Sequence, residues 1–118
     1  MKYYTTATVF YMFFIFYLSH TPQDNLPEEV LRIKNVDLLF HFLEYSVLGF
    51  LLFQSISIDS LLITNPLHGT ILIGNLFAIT DEYHQSFVPG RHMSTIDMIF
   101  DSLGVLFGSF LTSKVFNS

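Results

Sequence analysis

No cysteine occurs among the 118 residues, so disulfides and thiolate chemistry are excluded and the redox compartment cannot be read. Charge is scarce: Asp, Glu, Lys and Arg make up 13% of the chain, against about 25% in an ordinary soluble domain. Only 5 residues are Lys or Arg against 10 Asp and Glu. The formal net charge of -5 leaves no basic face for nucleic acid. Trp is absent while Phe reaches 14, a bias for which there is no physical account. No small-x-small cleavage site follows the first apolar run, and bulky aromatics fill it, which favours a retained helix over a removed signal peptide.

What remains is apolar. Hydrophobic residues form 51% of the chain, and the mean hydropathy is +0.49. A chain of this length has room for one domain, and this one has too little charge to give a water-soluble domain a polar skin. The expected fold is therefore all-α, an integral membrane four-helix bundle.

Four apolar runs carry that expectation: 3–19, 38–56, 66–85 and 95–115. The first is near the lower limit of about 17 residues for a spanning helix. A polar connection, 20–37, follows it, punctuated by Pro22 and Pro27. Within it Glu28 to Ile33 form either a short surface helix, with Glu28 and Glu29 at its favourable dipole end, or a solvated loop. Asn65-Pro66 reads as an N-cap followed by proline at the first helical position. Val88-Pro89-Gly90 ends the third run. Ser94-Thr95-Ile96-Asp97 fits a capping box with Asp in the place of Glu or Gln.

Four spans put both termini on one side. Asp24, Glu28, Glu29, Asp37, Glu44, Asp81, Glu82, Asp97 and Asp101 then share the opposite side, and Asp59 alone lies with the termini. His20, His41, His84 and His92 also fall on the loop side; His68 does not. Lys2 and Lys114 on one side against Arg32, Lys34 and Arg91 on the other do not fix orientation by the positive-inside rule.

Three of the runs repeat one pattern. His41, Tyr45 and Gly49 lie four apart on the second, with Glu44 beside them. Gly74 and Ala78 lead to Asp81, Glu82 and Gln85 on the third. Asp97 and Asp101 lead to Gly104 and Gly108 on the fourth. Spacings of three and four share a helix face, and small residues let membrane helices approach closely. Close packing would bring the polar ends into one pocket. This many carboxylates cannot all stay ionised at close range: some must hold a proton, or a cation must sit among them. The first condition yields an acid and a base at one pH. The second yields a hard divalent-cation site, for which Asp81, Glu82, His41 and Asp101 are the candidate ligands.

The runs Asp37-Leu38-Leu39-Phe40-His41-Phe42-Leu43-Glu44-Tyr45 with Leu48-Gly49, and Asp81 through Arg91 with Ser94, Asp97, Asp101, Gly104 and Gly108, resemble the VanZ-like family of small bacterial membrane proteins. The resemblance covers the second to fourth spans. It departs at Leu38, where the family often has lysine. It implies a single VanZ-like membrane domain over residues 1–118, multi-pass in the cell membrane, with a cytoplasmic N-terminus and the polar face outward. It also implies a role at the cell envelope, since the family's namesake is similar to proteins linked to teicoplanin resistance.

The candidate catalytic residues are His41, Glu44, Asp81, Glu82, Gln85 and Asp101; the candidate substrate contacts are Tyr45, Arg91, Ser94 and Asp97. Each has a plainer role. Asp97 can serve only as a cap, and His41 as a buried histidine bonded to a neighbouring helix. Asp81 and Glu82 can be a solvated helix end, and Arg91 their counterion rather than a phosphate ligand. An ionised carboxylate as deep as Asp101 is harder to explain so, because near a helix centre it costs about 2.5–3.5 kcal/mol. Three functions stay open: hydrolysis or group transfer on a lipid-linked or glycan substrate, non-catalytic binding or shielding of an envelope lipid, cell-wall precursor or glycopeptide antibiotic, and a cation site. No cofactor motif is present. The lipid bilayer is the expected partner, and the surface of four short helices leaves room for a homo-oligomer.

Overall fold

The computed structural model describes residues 3–19, 34–59, 65–88 and 95–116, with side chains starting at 38 in the second segment and ending at 115 in the last. Four helices follow in order: α1 (Tyr3–Ser19), α2 (Lys34–Asp59), α3 (Pro66–Gln85) and α4 (Thr95–Phe116). Among the described residues there is no strand. The fold is an all-α four-helix bundle.

The α3 start follows from local chemistry. Asn65 takes an extended conformation, φ -115 and ψ 101, and its side-chain oxygen accepts the His68 N–H at 3.1 Å. Pro66 at the first position gives up a donor that a helix start leaves unpaired in any case. The helix closes with tight turns, the Ser86 N–H on the Glu82 carbonyl at 3.2 Å and the Val88 N–H on the Gln85 carbonyl at 3.0 Å. The Ser94 cap, Pro89-Gly90 and the segment 28–33 lie outside the described residues.

Helix α2 is longer than its apolar run. It has 26 residues, about 39 Å at about 1.5 Å per residue, where a hydrocarbon core is about 30 Å thick. Neither Gly nor Pro stands at the limits of the apolar run to stop the helix there. Among the described residues two helices are long and apolar enough to cross a membrane, α2 over Leu38–Asp59 and α4 over Thr95–Val115. The outer surface is rich in large apolar side chains, among them Phe10, Phe13 and Tyr17 on α1, Leu72 on α3 and Phe110 on α4.

The bundle is built on the α2–α4 contact. A Cβ added to Gly108 would strike the Ser46 carbonyl oxygen, and one on Gly104 the Phe42 carbonyl oxygen. From the other side, a Cβ on Gly49 would lie 2.7 Å from the Val105 carbonyl oxygen. These are backbone-to-backbone approaches that only glycine permits. Gly74 of α3 differs: its neighbour is the Val105 side chain, at 2.6 Å from the ideal Cβ position. Ile15, Tyr45, Leu48, Leu52, Phe77, Ala78 and Val105 form the buried apolar core.

Helix α1 is apolar on all sides, so no hydrophobic stripe orients it. Hydroxyl groups do so instead. Thr5 donates its N–H to Asp59 Oδ2 at 3.3 Å, and its hydroxyl bonds both that oxygen and Ser55, the latter at 2.7 Å. Thr8 reaches the Leu51 carbonyl at 3.2 Å, and the Tyr11 hydroxyl donates to the Glu44 carbonyl at 2.7 Å. Asp59 thus caps the start of a different helix, where its charge meets the positive end of the α1 dipole.

Two consequences are measurable by unfolding the full-length protein in detergent. Gly108→Ala and Gly74→Ala should each cost about 1–3 kcal/mol, as overpacking does. Val105→Ala should recover much of the loss in the Gly74 variant and none in the Gly108 variant, because the second clash is with backbone. Asp59→Ala should cost about 0.5–2 kcal/mol, the usual value of a lost N-cap.

Candidate functional site

The polar ends of the helices converge. Nδ1 of His41 on α2 donates to Asp101 Oδ1 on α4 at 2.7 Å. The other ring nitrogen, Nε2, lies 3.7 Å from Asp97 Oδ2 one turn earlier on α4. Tyr45, one turn after His41, donates its hydroxyl to Asp81 Oδ2 of α3 at 2.9 Å. Ser19, the last residue of α1, hydrogen-bonds the same Asp81 side chain. All four helices therefore contribute.

The depth of these groups is unusual for their charge. Glu82 and Asp101 are 0% exposed and Asp81 is 1% exposed. His41 and Gln85 are also buried, and Asp97 is half-buried at the mouth. Oδ1 of Asp81 and Oδ2 of Asp101 are buried without a hydrogen-bond partner among the described residues. One ligand atom each from His41, Glu82 and Asp97 fall within 4.8 Å of one another. With Asp101 ionised, the proton sits on His41 Nδ1 and Nε2 is the acceptor nitrogen of the ring.

The remaining candidates divide. Tyr45, which the sequence suggested as a substrate contact, is wholly buried with its hydroxyl on Asp81. Glu44 is half-buried on the α1 side of α2, where its carbonyl holds Tyr11. His84 packs tilted against the Phe16 ring of α1, with centroids 5.2 Å apart, close enough to Asp81 to interact electrostatically. Arg91 and Ser94 lie outside the described residues. Asp81 and Glu82 are not a solvated helix end, being among the most buried side chains of the protein.

Ser19 was not legible as a member, because it closes a run of aromatic and aliphatic residues with no other polar signal. Its only clue is its place at the loop-side end of α1, level with Asp81. The same holds for Ser102, whose hydroxyl bonds the Asn75 side chain between α3 and α4.

With this arrangement in view, the comparison with known families is decisive. Residues 4–117 match VanZ/LLP1. The chain belongs to the VanZ/LLP1 family. It is thus a VanZ-like membrane protein, and the match extends the resemblance back over α1, whose sequence alone is generic. Comparisons with curated proteins and with solved structures give no significant match.

Asp81 is held by two hydroxyls and is 1% exposed. Tyr45→Phe should destabilise the protein by about 1–3 kcal/mol, the cost of an unsatisfied buried acceptor. A double-mutant cycle with Asp81→Asn, read by unfolding in detergent, should show a coupling of about 0.5–3 kcal/mol. Additive effects would break the link between the two residues.

Proposed function

We infer that the chain is a multi-pass protein of the cell envelope whose carboxylate–histidine cluster hydrolyses or transfers a group on a lipid-linked or glycan substrate at one membrane face. The observation that carries this reading is the His41–Asp101 pair, 2.7 Å apart and set beside the fully buried Glu82. Charged groups this deep in a membrane bundle are costly to retain and mark function by default.

Multi-pass topology is supported by the two polar clusters of α2. His41 and Asp59 are eighteen positions apart, about 27 Å along a helix, close to the thickness of the hydrocarbon core of about 30 Å. One cluster then sits near each water boundary. The His41 cluster is the one that faces the envelope lipid headgroups on the proposed reading.

Roles follow from geometry. Asp101 orients His41, and Nε2 takes a proton from a water or a substrate hydroxyl as that oxygen attacks. The bond to the leaving oxygen breaks, and that oxygen takes a proton from Glu82 acting as the general acid. Asp81, fixed by Tyr45 and Ser19, sets the field in which that proton moves. Gln85 lines the buried wall, and Glu44 supports α2 from the α1 side. Asp97 stands at the mouth, and Arg91 and Ser94 on the following turn are proposed to hold an anionic headgroup.

Purified full-length protein incubated with extracted envelope lipids tests this. Product should form, and Glu82→Gln and Asp101→Asn should each lower the rate by about 10²–10⁴-fold, as removal of an acid or base does. Equal activity in both variants would sink the catalytic reading. Saturable lipid or glycopeptide binding without product, weakened by Arg91→Ala, would replace it with a binding or shielding role.

A further inference from the structure

We propose that His41 Nε2, Glu82 and Asp97 bind one divalent cation, and that Asp101 is the positioning residue that holds His41 in the ligating tautomer. The proposal rests on the reading of this cluster as the functional site, and it does not require turnover.

Three observations support it independently. The ligand atoms of these three residues come from three helices and lie within 4.8 Å of one another. The Nε2-to-Asp97 distance of 3.7 Å is too long for a hydrogen bond. It is close to the edge of a tetrahedron with metal–ligand distances of about 2.1 Å, which is about 3.4 Å. The third observation concerns oxygens outside the ligand set. Oδ2 of Asp101 and Oδ1 of Asp81, on side chains 0% and 1% exposed, have no hydrogen-bond partner among the described residues. Both carboxyls interact electrostatically with His41. Buried polar atoms in this condition point to a water or an ion that completes the site.

The same geometry separates ligands from supports. Asp101 gives Oδ1 to His41 Nδ1 at 2.7 Å. That is the carboxylate–histidine arrangement that fixes ring orientation and raises the basicity of the metal-facing nitrogen. Asp81 gives Oδ2 to Tyr45 at 2.9 Å and is also bonded by Ser19. Sequence spacing placed Asp81 and Asp101 among the ligands; the folded geometry puts Asp97 in their place. One imidazole with two carboxylates suits Mn²⁺, Fe²⁺ or Zn²⁺ better than Ca²⁺, which takes six to eight oxygens. Two carboxylates also match the charge of a divalent ion. Three protein ligands leave a coordination position open, as catalytic rather than structural sites do. A cation bound there would occupy Nε2 and Glu82, so the base and acid roles of the metal-free reading would pass to a water of lowered pKa or a Lewis acid.

The test uses full-length protein in detergent, stripped with EDTA and titrated with Mn²⁺, with free Mn²⁺ read by electron paramagnetic resonance. Circular dichroism and thermal unfolding of the stripped protein report the fold. One equivalent should bind per chain and be displaced by Zn²⁺. His41→Ala, Glu82→Gln and Asp97→Asn should each weaken binding by about 100-fold or more, as loss of one ligand from three does. Asp97 is half-buried, so its variant keeps the test open if a deeper one does not fold. Asp101→Asn should weaken binding by about 10–100-fold while the stripped protein unfolds as before, and Asp101→Glu should recover part of the loss. No saturable Mn²⁺ binding by helical wild-type protein, or binding that survives both His41→Ala and Asp97→Asn, overturns the site. A loss in Asp101→Asn matched by lower stability of the stripped protein removes its positioning role. Cation binding without lipid turnover would leave this proposal standing and remove the enzyme reading; turnover with no saturable cation binding would do the reverse.

Discussion

Close approach of α2 and α4 sets the geometry on which the site depends. Gly104 and Gly108 lie against the backbone of Phe42 and Ser46, and Gly49 lies against Val105. Between helices in lipid there is little hydrophobic drive, since the tails are as apolar as Leu; association comes from packing and hydrogen bonds. A glycine face allows that packing to reach backbone distance. Asp101 stands three positions before Gly104 and seven before Gly108, on the same face. His41 stands one position before Phe42. Once the glycines are seated, Asp101 and His41 have little choice of partner. A methyl group at either glycine would push α4 outward by more than the tolerance of a 2.7 Å hydrogen bond.

The buried carboxylates are each answered differently. Asp101 has an imidazole, Asp81 has two hydroxyls, Asp97 lies 3.7 Å from the far nitrogen of His41, and Glu82 has one oxygen within 4.8 Å of ligand atoms of both His41 and Asp97. Asp59 at the other end is answered by an N–H and a hydroxyl of α1. Helix α1 is thereby pinned through Thr5 and Ser19, at opposite ends, and through Thr8 and Tyr11 between them. That solves a problem its composition creates. A helix apolar all round can rotate in lipid at small cost, and only polar contacts tell it which way to face. One of those contacts, Ser19 on Asp81, is also part of the site.

The sequence made the loop-side convergence legible because glycine and carboxylate recur at helical spacing on three runs. His41 with Gly49, Asp81 with Gly74, and Asp101 with Gly104 can each be placed on a face by counting. The Asn65-Pro66 start of α3 was legible for a local reason, the chemistry of a cap. What could not be read depends on distance in the chain. Nothing local in Thr5 or Asp59 shows that they meet, 54 residues apart. Asp59 looked like the odd carboxylate on the wrong side, and it is the cap of another helix. Tyr45 shares a face with His41, which suggested contact with a ligand. Whether its hydroxyl points to a ligand or to Asp81 depends on where α3 sits, and no spacing within α2 carries that. The same holds for which carboxylate takes the near nitrogen of His41: Asp97 and Asp101 are on one face, and only the axial offset of α4 against α2 decides.

That offset bears on what the site can do. Burial rises along α4 from Asp97, half-buried, to Asp101, fully buried one turn on, while Tyr45 and Phe77 close the floor with ring centroids 6.2 Å apart. Glu82 and Asp81 wall the same space at 0% and 1% exposure. On the proposed reading, a lipid-linked or glycan substrate stays at the membrane surface and presents one small polar group to His41 Nε2. The side chains beneath it tune that one nitrogen. Side chains buried this deeply suit holding a small ion or moving a proton, which on that reading leaves the grip on the substrate to groups nearer the surface, such as half-buried Asp97.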